Sequence, residues 1–358
     1  MNEQSIPLSH LVLPLLEWFR DHQRVLPWRS DPTPYHVWVS EIMLQQTRVA
    51  AVLGYYKRFM EALPTVADLA QVEEDQLLKL WQGLGYYNRA RNLKKAAQQV
   101  MTQFGGQFPA SYSDLLSLAG VGDYTAGAIA SIAFGLPEPA VDGNVLRVIT
   151  RITGSQADIS QAATKKAIRT ALAEIIPLHA PGEFNQALME LGALVCVPNG
   201  APDCAHCPAC EFCTAHLEGK TDAIPVKSAK KPRKIEERTV YLLFHAGQVA
   251  LRRRPAKGLL AGLWEFPNEQ TDENAAATWG LDLTQAEVCG AGRHIFTHRE
   301  WHMTGKRLLL TCDILPEGWV WADESALREQ YAVPNAFSAF FPAVARYFSE
   351  WSGGISTL

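Results

Sequence analysis

At 358 residues, 47% hydrophobic and 20% charged, the chain has an ordinary globular composition and enough length for two cores. No run approaches the ~18 apolar residues of a membrane-spanning helix, and Met1-Asn2-Glu3-Gln4 lacks the basic patch and apolar run of a secretory signal. A formal charge of −4 removes net charge as an argument for a nucleic-acid partner, so any such contact has to rest on local motifs.

Residues 8–217 read as helices joined by short turns, giving an all-α region. Leu11, Leu15, Leu16 and Phe19 recur at helical spacing, as do Val49, Val52, Leu53 and Tyr56. Stops fall at Pro64, Gly83-Leu84-Gly85, Gly105-Gly106 and Pro137. Within this region Glu41 is followed by Ile42, Met43 and Leu44; an apolar pocket there raises a carboxyl pKa.

Between two helical segments lies Leu118-Ala119-Gly120-Val121-Gly122-Asp123-Tyr124-Thr125-Ala126. Gly120 and Gly122 permit a tight turn whose amides can bind a phosphate without net positive charge. Further on, Val141-Asp142-Gly143-Asn144-Val145 places an acid at a helix start. There it can cap the helix, stay ionised and stabilise a cationic sugar.

Five of the seven cysteines fall between Cys196 and Cys213, and such clustering points to a metal rather than a disulfide framework. The spacing Cys196-x7-Cys204-x2-Cys207-x5-Cys213 suits a cubane iron–sulfur cluster or a structural zinc. Cys210 lies inside the last gap, so Cys204, Cys207, Cys210 and Cys213 form an evenly spaced alternative set. The position after an apolar helix (Leu188 to Val195) favours a structural role, pinning a loop.

Residues 218–238 carry 7 Lys+Arg against 4 Asp+Glu and few apolar side chains, the pattern of a solvated linker. Residues 239–358 then change character and read as α+β. Strand-like runs are expected at Thr239–Phe244, Val249–Leu251 and Arg307–Cys312, with helix-compatible spacing over 324–348.

The hairpin, the Val-Asp-Gly-Asn-Val segment and the cysteine cluster together resemble the endonuclease III (helix–hairpin–helix) superfamily of DNA glycosylases. Leu26-Pro27-Trp28-Arg29, Pro34 through Thr47 and Gly83 through Arg91 are similar to its adenine-specific, MutY-type branch. The resemblance covers most of residues 10–217 and implies a 4Fe–4S cluster on Cys196, Cys204, Cys207 and Cys213, although the gap of seven after Cys196 is usually six. Lyase members carry a lysine in the hairpin where this chain has Tyr124; without an amine there, β-elimination has no nucleophile.

By the same resemblance Glu41 is the proton donor and activator of water. Asp142 stabilises the oxocarbenium-like sugar or attacks it transiently, and Tyr124 and Asn144 assist. A retaining route places the two carboxyl groups ~5–6 Å apart. Trp28, Arg29 and Gln186 match the adenine-binding wall, with Gln45 a less clear match. Leu44, Gln46, Thr47 and Tyr86 match residues that wedge into the duplex, Tyr86 being the stacking aromatic and Tyr87 reading as core.

Gly258 through Pro267 resembles the start of a Nudix-type (MutT-like) fold, but the hydrolase signature that should follow is missing. Thr271 to Gly280 offers only scattered acids such as Asp272 and Glu273. The implied role is recognition of 8-oxoguanine through His294-Ile295-Phe296-Thr297-His298, with Phe296, Thr297 and His298 standing for the usual Phe-Ser-His.

The expected organisation is residues 1–217 as catalytic domain, 218–238 as linker and 239–358 as recognition domain. The expected partner is double-stranded DNA with an 8-oxoguanine:adenine mispair. A cytoplasmic monomer, associated with the nucleoid in a bacterium, is the expected state, with no membrane partner. Three other readings are weaker. A pyrimidine-directed lyase conflicts with Tyr124 and the second domain, and a catalytically silent DNA-binding or redox-sensing iron–sulfur protein conflicts with intact Glu41 and Asp142. A nucleotide pyrophosphohydrolase lacks its metal-binding helix.

Overall fold

The computed structural model describes residues 7–229, 232–270 and 278–353. Close contacts group the chain into two compact units, 1–71 with 91–229 and 72–90 with 230–358. Lys230 and Lys231 of the basic linker stretch, and Asp272 and Glu273, lie outside the described residues.

The first unit is all-α, as its periodicity requires. Its helices begin with α1 (Val12–His22), α2 (Pro27–Ser30), α3 (Pro34–Leu44), α4 (Val49–Ala62) and α5 (Val66–Gln71). Next in the chain, α6 (Glu74–Leu80) groups with the second unit. The helical unit resumes through α7 (Asn88–Gln103), α8 (Tyr112–Ser117), α9 (Asp123–Phe134) and α10 (Gly143–Thr153). It ends with α11 (Ala162–Ala173), α12 (Pro181–Leu194) and α13 (Thr214–Leu217).

Local chemistry sets the starts that matter for the site. Thr33 accepts a hydrogen bond from the His36 amide and Pro34 occupies the first turn of α3, both strong start signals. Asp142 caps α10 by accepting from the Val145 amide. One core joins Leu15, Leu16 and Phe19 of α1 to Val145, Val148 and Ile149 of α10 and to Leu188 and Leu191 of α12. The i, i+3, i+4 spacing of these side chains turns one face of each helix inward.

The second unit holds a seven-stranded mixed sheet of β1 (Lys234–His245), β2 (Gln248–Arg253), β3 (Trp264–Glu265), β4 (Asn268–Gln270), β5 (Glu287–Ile295), β6 (Arg299–Leu309) and β7 (Trp319–Ala322). The strand order is β3-β2-β1-β6-β5, with β1 and β6 parallel, β4 pairing with β1 and β7 with β2. Alternate side chains of β1 feed two cores. Val240, Leu242 and Phe244 pack with Trp301 and Phe337, while Tyr241 and Leu243 pack near Trp279 and Trp319.

Two sequence expectations shift here. The strand expected at Arg307–Cys312 begins instead at Arg299 and ends at Leu309. Its first half carries charged residues, and only the alternation of buried Trp301, Met303 and Gly305 marks it. Helical character over 324–348 divides into α14 (Glu324–Glu329), a 3-10 turn (Asn335–Phe340) and α15 (Phe341–Ser352). Pro334, which cannot donate to a continuing helix, stands at the break.

Candidate active site

Ten of the residues singled out from the sequence line one cavity of about 990 Å³ in the helical unit: Trp28, Arg29, Glu41, Leu44, Gln46, Thr47, Tyr124, Asp142, Asn144 and Gln186. Gln45 lines it too. The acids come from different elements, Glu41 from the last turn of α3 and Asp142 from the cap of α10.

Glu41 is 6% exposed. Burial pushes its carboxyl up to about 7; the charge of Asp142 adds to this, while the Tyr124 hydroxyl and Arg29 oppose it. Tyr124 Oη donates to Glu41 Oε2 and also lies 3.6 Å from Met189 Sδ. Burial and the two carboxylates hold the Tyr124 phenol well above its ordinary range. Tyr124 therefore keeps its proton and is a donor at this site.

Asp142 accepts from the Val145 amide at 2.8 Å and from Asn144 Nδ2 at 2.7 Å. The cap is as the sequence suggests, but the electrostatics are less simple. Burial raises this carboxyl, and the Val145 and Asn144 donors and Arg147 only oppose the rise. A helix N-terminus alone does not hold the acid at its solvent value.

Arg147 braces this corner. Its Nη2 donates to Asn144 Oδ1 at 2.9 Å and to the Gly192 carbonyl at 2.8 Å, and its Nε donates to the Cys196 carbonyl at 2.8 Å. Gly192 is required by the close approach of α12, since a Cβ there would sit 2.6 Å from Asn144 Cβ.

On the facing wall, Arg29 donates to Gln186 Oε1 at 3.0 Å, to Glu190 Oε2 at 2.9 Å and to the Arg24 carbonyl at 3.1 Å. Trp28 is 5% exposed and meets Tyr56 edge-on. Sequence reasoning missed Glu190 and Arg24. Burial alone would raise Glu190, yet its bonds to Arg24 and Arg29 bring the carboxyl down to about 2. The signal was available, because Glu190 follows Gln186 by one helical turn on α12.

Leu44, Gln46 and Thr47 sit where α3 ends, and Gln46 adopts a φ of +59°, uncommon for a non-glycine residue. Gly120 and Gly122 are exposed in the α8–α9 hairpin and do not line the cavity. Gly120 needs its φ of +74°, and a Cβ there would meet Asn92 at 2.6 Å.

In the second unit, Tyr86, which is 48% exposed, stands against the β5–β6 turn, its hydroxyl 3.2 Å from Thr297 Oγ1. Phe296 closes the β5–β6 turn by donating its amide to the Arg299 carbonyl at 2.8 Å, and His298 is exposed. Tyr87 is buried, as expected of core.

The five clustered cysteines line a second, apolar cavity with Val148, Leu191 and Val195. Among the described residues no three His, Cys, Asp or Glu side chains converge on a single-ion site, while these sulfurs ring a shared space. Thiolates gathered around one space are a donor set that suits a multi-iron cluster or a structural zinc. Burial pushes the Cys207 thiol up to about 12, and the nearby Cys196, Cys213 and Cys204 push the same way. Arg151 Nη1 lies 3.3 Å from Cys196 Sγ, a donor that suits a thiolate ligand.

Residues 39–177 match the family model of the HhH-GPD superfamily base excision DNA repair proteins, and residues 239–343 match the NUDIX domain. The fold of the helical unit has solved counterparts. A thermostable thymine-DNA glycosylase is 28% identical at a TM-score of 0.54, covering 59% of this chain and 96% of that one. An endonuclease III trapped as a covalent DNA intermediate is 26% identical at 0.51, covering 59% and 95%.

Among curated relatives, the adenine DNA glycosylase of Buchnera aphidicola (subsp. Acyrthosiphon pisum) is 36% identical over 73% of this chain and 75% of its own length. The human one is 38% identical over 79% and 64%, and that of Arabidopsis thaliana 39% over 79% and 54%. The chain belongs to the adenine DNA glycosylase family. It spans about 64% of the human relative and 54% of the plant one.

Proposed function

We propose that this chain is a monofunctional adenine DNA glycosylase of base excision repair, acting on adenine mispaired with 8-oxoguanine and also with guanine. The observation that carries the reading is the pairing of a carboxyl held near pH 7, Glu41, with Asp142 in one cavity roomy enough for a purine. The adenine leaves the duplex to enter, where Trp28, Arg29 and Gln186 form its wall.

Protonated Glu41 gives its proton to a ring nitrogen of adenine, and the C1′–N9 bond breaks with its electron pair going to the base. Asp142 balances the cationic sugar or bonds to C1′ transiently, with the Tyr124 hydroxyl and the Asn144 amide beside the acids. Glu41, now ionised, takes a proton from the water that bonds to C1′. The hairpin position of Tyr124 offers no amine, so the strand stays intact. Thr297, Phe296 and His298 read the oxidised base, Tyr86 stacks into the duplex with Leu44, Gln46 and Thr47, and the Gly120–Gly122 turn holds a phosphate.

The domain reading proposed is catalysis by residues 1–217 and lesion recognition by 239–358. A 4Fe–4S cluster would be held by Cys196, Cys204, Cys207 and Cys213, pinning the loop behind α10 and α12 and taking no part in bond cleavage. Iron and acid-labile sulfide should persist in Cys210→Ser and be lost in Cys204→Ser. Single-turnover adenine release from 8-oxoguanine:adenine and guanine:adenine duplexes tests the reading, with Glu41→Gln as control. Full activity in that variant, or strand nicking by the parent, would end it.

A further inference from the structure

The stretch 72–90 precedes and includes part of α7, yet its contacts place it with the sheet. Specific bonds account for this. Lys79 Nζ donates to the carbonyls of Leu327 at 3.1 Å and Tyr331 at 3.0 Å, at the C-terminal end of α14, where a cation also meets the favourable end of the helix dipole. Gln82 Nε2 donates to the Val333 carbonyl at 2.7 Å, and Asn335 Nδ2 to the Gly83 carbonyl at 3.4 Å. Asp75 pairs with Arg253 at 2.7 Å. Burial pulls the Lys79 amine down to about 8, so these bonds are kept against a desolvation cost.

The loop that follows is held just as closely. Trp81 Nε1 donates to the Gly85 carbonyl at 3.1 Å, and Arg89 Nη2 to the carbonyls of Leu84 at 3.1 Å and Gly85 at 3.2 Å. Tyr86 is left in the left-handed region at φ +47°, a conformation that persists only where the surroundings impose it. The outcome is an exposed aromatic ring whose hydroxyl meets Thr297.

We infer that Lys79 and Gln82 are positioning residues for lesion recognition, docking the 72–90 segment on the sheet so that Tyr86 and Thr297 form one preassembled reader. This rests on the proposed roles of Tyr86 and Thr297 at the oxidised base. None of the residues lining the catalytic cavity belongs to 72–90, so the docking bonds bear on selectivity rather than on bond cleavage.

The test is single-turnover excision by the full chain from both duplexes, at saturating and at sub-saturating enzyme, for Lys79→Met, Lys79→Arg, Gln82→Ala and Tyr86→Ala. Lys79→Met should lower the preference for the lesion-containing duplex about tenfold, since misplacing a group by an ångström can cost up to ~10²-fold. Its rate on guanine:adenine at saturation should stay at the parental value, and Lys79→Arg should restore most of the preference. Gln82→Ala gives a milder loss and serves if Lys79→Met does not fold. Retention of parental preference in Lys79→Met, or in Gln82→Ala where Lys79→Met does not fold, with Tyr86→Ala losing it, would overturn the inference. Absence of adenine release or of lesion preference in the parent would instead overturn the proposed function, a result visible without any variant.

Discussion

Glu41 in the helical unit and Glu236 in the sheet unit are almost equally shielded from solvent, 6% and 5% exposed, but Glu41 is far more densely surrounded by protein, and their carboxyls move in opposite directions. Burial pushes both up. At Glu236 the Trp301 indole, Arg299, Lys234 and Arg238 outweigh it and hold the acid below its ordinary range. At Glu41 the strongest opposing partner is a neutral hydroxyl, and Asp142 adds repulsion. Burial of a carboxylate is therefore no mark of function; burial without a matching cation is. Glu190, in the same cavity as Glu41, repeats the contrast with two arginines and a carboxyl near 2.

The largest expected effect breaks that contrast at its active end. Glu41→Gln should slow single-turnover adenine release by about 10³-fold or more. The same substitution should make the fold more stable in alkali. Glu41 titrates near 7 in the folded chain against 4.5 ordinarily, so stability present below ~4.5 is lost as pH rises through 7. Urea unfolding at pH 8 should find Glu41→Gln more stable than the parent by up to ~3 kcal/mol, with a smaller gap at pH 5.

Glu236→Gln should do the reverse at pH 7, costing roughly 2 kcal/mol by leaving Arg299 and Trp301 short of their acceptor. Equal signs for the two variants would dissolve the comparison. Gly192→Ala should cost roughly 1–2 kcal/mol and slow excision as well, because Asn144 must move away from Asp142 to admit the methyl group; crystal structures of both forms would show the displacement. The smallest effect is graded. As pH rises above 7 the acid form of Glu41 is depleted, so single-turnover release should fall about tenfold per unit. A flat profile to pH 9 would remove Glu41 as the proton source.

Much of the candidate site in the helical unit was legible because each residue carried a local signal. Glu41 stands beside three consecutive apolar side chains, Asp142 precedes a helix, and Gly120 and Gly122 punctuate two helical stretches. Glu190 went unread because a glutamate on an amphipathic helix looks like a solvated one until Arg24 and Arg29 are brought to it from another part of the chain. The start of β6 was hidden for a related reason, since buried Trp301, Met303 and Gly305 are interleaved with polar His302, Thr304 and Lys306 and leave no apolar run.

The amino-acid order by itself determined the helical class of the first region, the sheet-bearing second one, the cysteine cluster and the candidate acids. Helix caps, glycine turns and hydrophobic periods act over a few residues and need no distant partner. Only the tertiary structure decided that Glu41 and Asp142 share a cavity, that Glu41 rather than Glu190 is held near neutrality, and that residues 72–90 group with the sheet. Those outcomes depend on desolvation and on hydrogen bonds between residues more than 80 positions apart, such as Tyr124 to Glu41 and Lys79 to Leu327, and such encounters leave no periodic trace in the chain.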